Sequence, residues 1–327
     1  MKAVTKTGVL GTTITFSNDV AVATPQLKPD SVLVKVHAAA INPIDYKLPK
    51  FASSLIAGQD FCGEVVESHP ESEFAVGDRV FGLSKGTLAD FTLASPKAIA
   101  KAPESWKATD CAALTTAYWS ALQSLAIGGI LPNQDNTSKS VLVIGASGGC
   151  GLAGIQLSAS MGVSRIVGIC SSKNADMVKH QGATEIVDYT DAKALQNFFK
   201  DNRGQFDCVY DTATYSGGGA DYWKDSIPLL KEDAQNAIIG EYASLNGPAS
   251  KWVRAMAGAQ TKHETIVMME PRGPELDVIA QLMEKSKAKP ITTIMKFDEE
   301  GIRDGFKLLK SRRAKGKIVF DICASEN

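Results

Sequence analysis

A chain of 327 residues, 44% hydrophobic and 22% charged, has the make-up of a folded globular protein long enough for two domains. Its formal net charge of −1 excludes a general electrostatic attraction to nucleic acid or to an anionic membrane surface. No apolar run reaches the length of a membrane span, and the 6 scattered cysteines lack Cys-x-x-Cys or metal-ligand spacing, so a reducing compartment is expected.

Met1-Lys2-Ala3-Val4 enters strand-like sequence directly, without the apolar core of a signal peptide. Cytoplasmic placement is the expectation, with import lacking a cleaved leader left open. Residues 1 to about 118 read as mostly β. Val32–Ala38, Gly63–Ser68 and Arg79–Gly82 are strand candidates separated by Pro, Gly and Asp turns, a spacing that favours a barrel-like domain. Near residue 108 the pattern changes. Thr109-Asp110 is expected to cap a helix running through Cys111, Leu114, Tyr118, Trp119 and Leu122.

Strands and helices then alternate. Strands are expected at 141–144, 165–170, 185–187, 206–211, 237–240 and 265–269. Helices are expected at 174–181, 192–202, 222–230 and 274–287. Such alternation predicts a doubly wound parallel sheet, with ligands beyond the carboxyl ends of its strands. Gly316–Asp321 reads as a closing strand.

The central stretch is Val141-Leu142-Val143-Ile144-Gly145-Ala146-Ser147-Gly148-Gly149-Cys150-Gly151. Four aliphatic residues suit a strand buried on both faces. The glycines let the backbone approach a pyrophosphate, which the N–H groups at the start of the next helix would face. Ser147, Gly148, Gly149 and Cys150 are therefore expected to line it. In a dinucleotide fold that takes NAD, a carboxylate ends the second strand and holds the ribose hydroxyls. Here that strand ends Cys170-Ser171-Ser172-Lys173-Asn174. Two hydroxyls, a cation and an amide could donate to a 2′-phosphate that a carboxylate would repel, so NADPH is expected rather than NADH. Tyr189 could lie beside the adenine ribose or else pack as a surface tyrosine, and Thr212, Ile239 and Gly240 end later strands on the cofactor side.

Several stretches, in order, resemble the medium-chain dehydrogenase/reductase superfamily, in its zinc-independent quinone oxidoreductase-like branch. They are Ala39–Lys47, Gly58–Val66, Val76–Gly82, the glycine turn, Gly182–Tyr189 and Ala314–Val319. The resemblance implies an α/β fold with a GroES-like β-barrel domain over 1–118, completed by 290–327, and a Rossmann doubly wound parallel sheet over 119–289. A cleft between them would hold nicotinamide and substrate. The zinc alcohol dehydrogenases of that superfamily have Cys where this chain begins Asn42-Pro43-Ile44-Asp45, and Gly-His-Glu where it has Gly58-Gln59-Asp60. Asn and Gln are poor zinc ligands, and no metal is expected.

The resemblance also implies that Asn42 touches the nicotinamide ribose or carboxamide and that Tyr46 and Lys47 lie at the cleft mouth. Lys47 is the first candidate and Tyr46 the second for donation to an oxyanion developing on the acceptor. Thr116 would contact nicotinamide. Lys317 would return to the cofactor, or else lie on a solvated basic face. Asp60 is read as holding a turn by hydrogen bonds rather than as a base. The expected activity is NADPH-dependent hydride transfer to a quinone or to the C=C bond of an α,β-unsaturated carbonyl. The alternative is an NADPH-binding regulatory or structural protein without significant turnover. The acceptor, the stereochemistry and the oligomeric state, a homodimer among the options, are not set by the sequence.

Overall fold

The computed structural model describes residues 1–7, 13–19, 26–28, 30–47, 54–214, 221–232, 241–245 and 263–323. The chain divides into two compact units. The first comprises Met1–Thr116, Pro271–Ala280 and Lys289–Asn327, and the second Ala117–Glu270 with Gln281–Ala288. Residues 271–280 thus belong with the first unit, whereas the expected second domain ran unbroken to 289.

In chain order the elements are β1 (Ala3–Thr7), β2 (Thr13–Ser17), β3 (Val32–Ile41), α1 (Pro43–Lys47), β4 (Asp60–Ser68), β5 (Arg79–Ser84) and β6 (Phe91–Lys101). Then come α2 (Ala108–Ala113), α3 (Thr116–Ile127), β7 (Ser140–Ile144), α4 (Gly149–Ser160), β8 (Arg165–Cys170), α5 (Ala175–His180), β9 (Glu185–Asp188), α6 (Ala192–Asp201) and β10 (Cys208–Asp211). The last are α7 (Trp223–Ser226), β11 (Glu241–Ser244), β12 (Glu264–Ile266), α8 (Gly273–Lys285), β13 (Thr292–Lys296), α9 (Glu299–Ser311) and β14 (Lys317–Asp321).

The first unit is built on β3. Its first half pairs antiparallel with β6, from Val32 opposite Ala94 to Lys35 opposite Phe91. Strands β4 and β5 link β3 to β6 on the other side, so the four close into a small barrel. The second half of β3 pairs with β14, Ile41 opposite Ile318 and Ala38 opposite Asp321. Strand β13 lies parallel to β14. A ten-residue strand can serve both partners because its alternation of Val, Ala and Ile supplies buried side chains along its whole length. The apolar interior gathers Val34, Phe61, Val65, Leu88, Ile99, Phe297, Phe306 and Phe320. The closing strand is therefore part of the barrel unit.

The second unit carries a parallel six-stranded sheet ordered β12-β11-β10-β7-β8-β9. Counted along the chain from β7, this is the 3-2-1-4-5-6 order of a Rossmann fold, with its crevice where the order reverses, between β7 and β10. Every residue of β7 is buried, as its unbroken aliphatic run required.

Two local expectations are corrected. The helix expected from a Thr109-Asp110 cap through Leu122 is two helices, α2 and α3, separated at Leu114 and Thr115. Lys107 precedes α2 with no side-chain cap. Buried Thr115 turns its hydroxyl back to the carbonyl of Ala112 at 3.1 Å, a local bond that competes with continuing the helix. The helix expected at 222–230 is one turn, α7, followed by a 3₁₀ turn at Ile227–Leu229, because Pro228 cannot donate to the preceding turn. The strand expected at 237–240 lies outside the described residues. Among the described residues no helix is long and apolar enough to cross a membrane.

Candidate functional site

In the second unit the glycine turn has the expected context: β7, a tight turn, then α4. Gly145 has φ +80°, and a Cβ there would stand 2.5 Å from Thr212 Oγ1. A Cβ on Gly151 would stand 2.2 Å from the carbonyl oxygen of Gly145, so that position admits no side chain. Gly148 is the N-cap of α4, extended at φ −80° and ψ 172°. Ser147, Gly148, Gly149 and Cys150 are half-buried around the helix start. Thr212 sits beside the turn and donates its hydroxyl to the carbonyl of Ile144 at 2.8 Å.

Beyond β8, Ser171 and Asn174 are half-buried and Ser172 and Lys173 exposed. Asn174 Nδ2 reaches Ser171 Oγ at 3.5 Å. Tyr189 is 50% exposed, its backbone N–H on the carbonyl of Cys170 at 3.3 Å. Ile239 and Gly240 lie outside the described residues.

One group here escaped the sequence reading. In the parallel register Asp188 is opposite Cys170, and its carboxylate accepts hydrogen bonds from Thr190 N at 2.8 Å and Thr190 Oγ1 at 2.7 Å, with Ser172 near enough to favour its charged form. The Thr190 bonds above all hold it below the usual carboxylate range. The second strand ends without an acid, but the third brings one to the same edge.

In the first unit Asn42, Asp60, Thr116 and Lys317 come together from the end of β3 and the starts of β4, α3 and β14. Asp60 is fully buried, Lys317 5% and Asn42 6% exposed. Lys317 Nζ donates to Asp60 Oδ2 at 2.8 Å, to Asn42 Oδ1 at 2.6 Å and to the carbonyl of Ile41 at 3.3 Å. Asn42 Nδ2 donates to Asp60 Oδ2 at 2.8 Å. The other oxygen, Asp60 Oδ1, accepts from Thr116 N at 3.3 Å and from the Thr116 hydroxyl. Lys317 is therefore not on a solvated face, and donating to a nucleotide would break one of these bonds. Sequence alone could not bring it to Asn42, 275 residues away.

Beneath Asn42, Asp45 is 1% exposed and accepts the backbone N–H groups of Asn42 at 2.7 Å and Gly58 at 3.2 Å. Burial, chiefly, raises its carboxyl to about 6, with Asp60 adding to the rise while the Asn42 bond, Lys317 and Lys6 oppose it. Tyr46 is half-buried against the apolar interior, with Lys310 Nζ 5.6 Å from its ring centre. Lys47 is exposed by area, yet desolvation first and then Arg312 lower its ammonium from the usual lysine value. A lysine so shifted gives up its proton more readily to a developing oxyanion.

Among the described residues no group of three or more His, Cys, Asp or Glu side chains is placed to hold a metal ion. Asn42 and Gln59 carry amides, which are poor zinc ligands, and the amide of Asn42 is already engaged on both its atoms. The donor set does not fit zinc.

Residues 28–104 match the family model described as alcohol dehydrogenase GroES-like domain, and residues 181–320 the one described as zinc-binding dehydrogenase. The chain is 27% identical over 325 residues to the trans-enoyl reductase pgmF of Aspergillus terreus, covering 90% of this chain and 87% of that protein. It is 29% identical over 318 residues to the 2-methylene-furan-3-one reductase of Solanum lycopersicum, covering 91% and 73%. Among solved structures, the quinone oxidoreductase from Coxiella burnetii superposes with a TM-score of 0.77 at 26% identity, covering 98% of this chain and 99% of that one.

Proposed function

The chain belongs to the medium-chain dehydrogenase/reductase superfamily, in its quinone oxidoreductase-like branch, and from that premise we propose that it is a zinc-independent NADPH-dependent reductase of quinones or of the C=C bond of α,β-unsaturated carbonyls. The observation that carries the reading is the strand–turn–helix at 140–160, with Gly145 and Gly151 packed as a dinucleotide turn requires. The named relatives support an oxidoreductase and leave quinone and enone both in play.

NADPH, when bound, supplies a hydride to the acceptor. The backbone at Ser147–Cys150 holds the pyrophosphate at the helix start. Ser171, Ser172, Lys173 and Asn174 receive the 2′-phosphate, with Asp188 opposing part of that attraction. Asn42 and Thr116 orient the nicotinamide. Lys47, with Tyr46 as second candidate, donates to the oxygen that gains charge as hydride arrives, so its help is felt mainly in the transition state.

Purified protein is titrated with NADPH by fluorescence, then assayed for NADPH oxidation against a panel of quinones, enals and enones, with and without a chelator. Turnover with either acceptor class, indifferent to the chelator, supports the proposal. Tight binding with no turnover across the panel favours the non-catalytic NADPH-binding alternative. Activity lost to chelator and restored by zinc overturns the metal-free chemistry.

A further inference from the structure

The buried pair Lys317 and Asp60 is more than a staple between strands. Taking a lysine and an aspartate out of water is costly, and a buried ion pair often stabilises a fold no better than well-packed neutral groups would. Its geometry is informative instead. Each of the three N–H bonds of Lys317 has a partner. Asp60 gives one oxygen to Asn42 and Lys317 and the other to Thr116. An amide whose oxygen faces an ammonium and whose nitrogen faces a carboxylate cannot flip without setting two like partners against each other. One Nδ2–H of Asn42 points to Asp60, and the other is the donor left for a ligand. The hydroxyl proton of Thr116 is turned to Asp60.

The backbone is arranged to deliver Lys317 there. Gly316 has φ +68°, and a Cβ would stand 1.9 Å from the carbonyl oxygen of Ile291. That same carbonyl accepts the backbone N–H of Lys317 at 2.8 Å. Lys315, two residues earlier, is exposed.

We propose that Lys317 and Asp60 are positioning residues, whose ion pair fixes the amide of Asn42 and the hydroxyl of Thr116 in the one orientation that serves a nicotinamide. The inference rests on the reductase reading, in which Asn42 and Thr116 meet that ring. Lys317 itself does not touch the cofactor.

The test compares wild type, Lys317→Met/Asp60→Asn, Asn42→Ala and the triple variant. The paired change keeps side-chain volume and removes both charges, so the barrel is expected to fold; circular dichroism and a cooperative melt verify it. A single Lys317→Met is included as the variant that leaves the buried carboxylate unpaired, and Lys315→Met as a surface control expected to behave as wild type. NADPH affinity is read by fluorescence, and kcat and KM with the acceptor that wild type prefers.

Asn42→Ala in the wild-type background is expected to weaken NADPH binding and lower kcat/KM roughly tenfold or more. In the paired background the same change is expected to cost less than about threefold, because groups acting as one unit are not additive. If Asn42→Ala costs the same in both backgrounds, or if the folded paired variant keeps wild-type NADPH affinity and kcat, the ion pair is structural only and the inference is overturned. If wild type itself neither binds NADPH nor turns over, it is the functional reading that fails.

Discussion

Asp45 accepts the backbone N–H of Asn42 at 2.7 Å and does so almost wholly out of water. The bond ties the first turn of α1 to the end of β3, and burial is its cost. A carboxyl raised from 3.8 to about 6 binds its proton more tightly in the folded chain than in the unfolded one. Its contribution to stability is therefore full below pH 3.8 and lost as pH rises through 6, by about 3 kcal/mol in all. Asp45→Asn should flatten the dependence of unfolding free energy on pH between 4 and 6, measured by urea denaturation. It should also cost about 1–3 kcal/mol at neutral pH, since Asn42 and Gly58 donate to separate oxygens and the amide nitrogen that replaces one of them cannot accept. An unchanged pH slope would show that other groups set it.

The glycine turn separates a demand of the fold from a demand of the ligand. A Cβ on Gly151 meets backbone 2.2 Å away, whereas one on Gly148 meets only the Gly145 carbonyl oxygen at 3.5 Å, an ordinary contact. Gly151→Ala should lower the melting temperature by several degrees. Gly148→Ala should melt near wild type yet bind NADPH at least about tenfold more weakly, because its methyl group occupies the approach to the pyrophosphate. Equal NADPH affinity in Gly148→Ala and wild type would remove the turn from the nucleotide site.

Charge at the edge of β8 and β9 should govern the choice of nucleotide. Lys173→Ala is expected to weaken NADPH by roughly fivefold to tenfold at low salt and to leave NADH almost unchanged, the loss shrinking as salt screens the exposed ammonium. Asp188→Asn should act in the opposite direction and tighten NADPH, since a carboxylate near a phosphate repels it. Fluorescence titrations with both nucleotides at two salt concentrations measure this, and parallel shifts for NADPH and NADH would rule out a 2′-phosphate contact.

Thiol reactivity follows from burial. Cys62, Cys111, Cys170 and Cys208 are buried, and Cys150 and Cys323 are half-buried. Burial also pushes the thiols of Cys170 and Cys208 up to about 11 and about 12. A thiol reagent should find Cys150 and Cys323 in the native protein and all 6 after denaturation. Bound NADPH should slow labelling of Cys150 alone of the two, as mass spectrometry of the labelled peptides would record.

What the sequence by itself determined is whatever local pattern can carry. The run Val141–Ile144 followed by glycines specified a buried strand and a backbone-lined turn, because aliphatic runs and missing side chains act within a few residues of each other. Asn at 42 and Gln at 59 likewise spoke against zinc through donor chemistry alone. Helix ends were less legible. The break between α2 and α3 depends on buried Thr115 choosing a backbone partner, and burial is a tertiary property. Tertiary structure alone decided that Lys317, Asn42, Asp60 and Thr116 share one hydrogen-bonded cluster, and that Asp188 stands by Ser172. The pairing of β14 with β3 and of β9 with β8 creates those contacts, and strand register between distant segments leaves no mark in the spacing of residues along the chain.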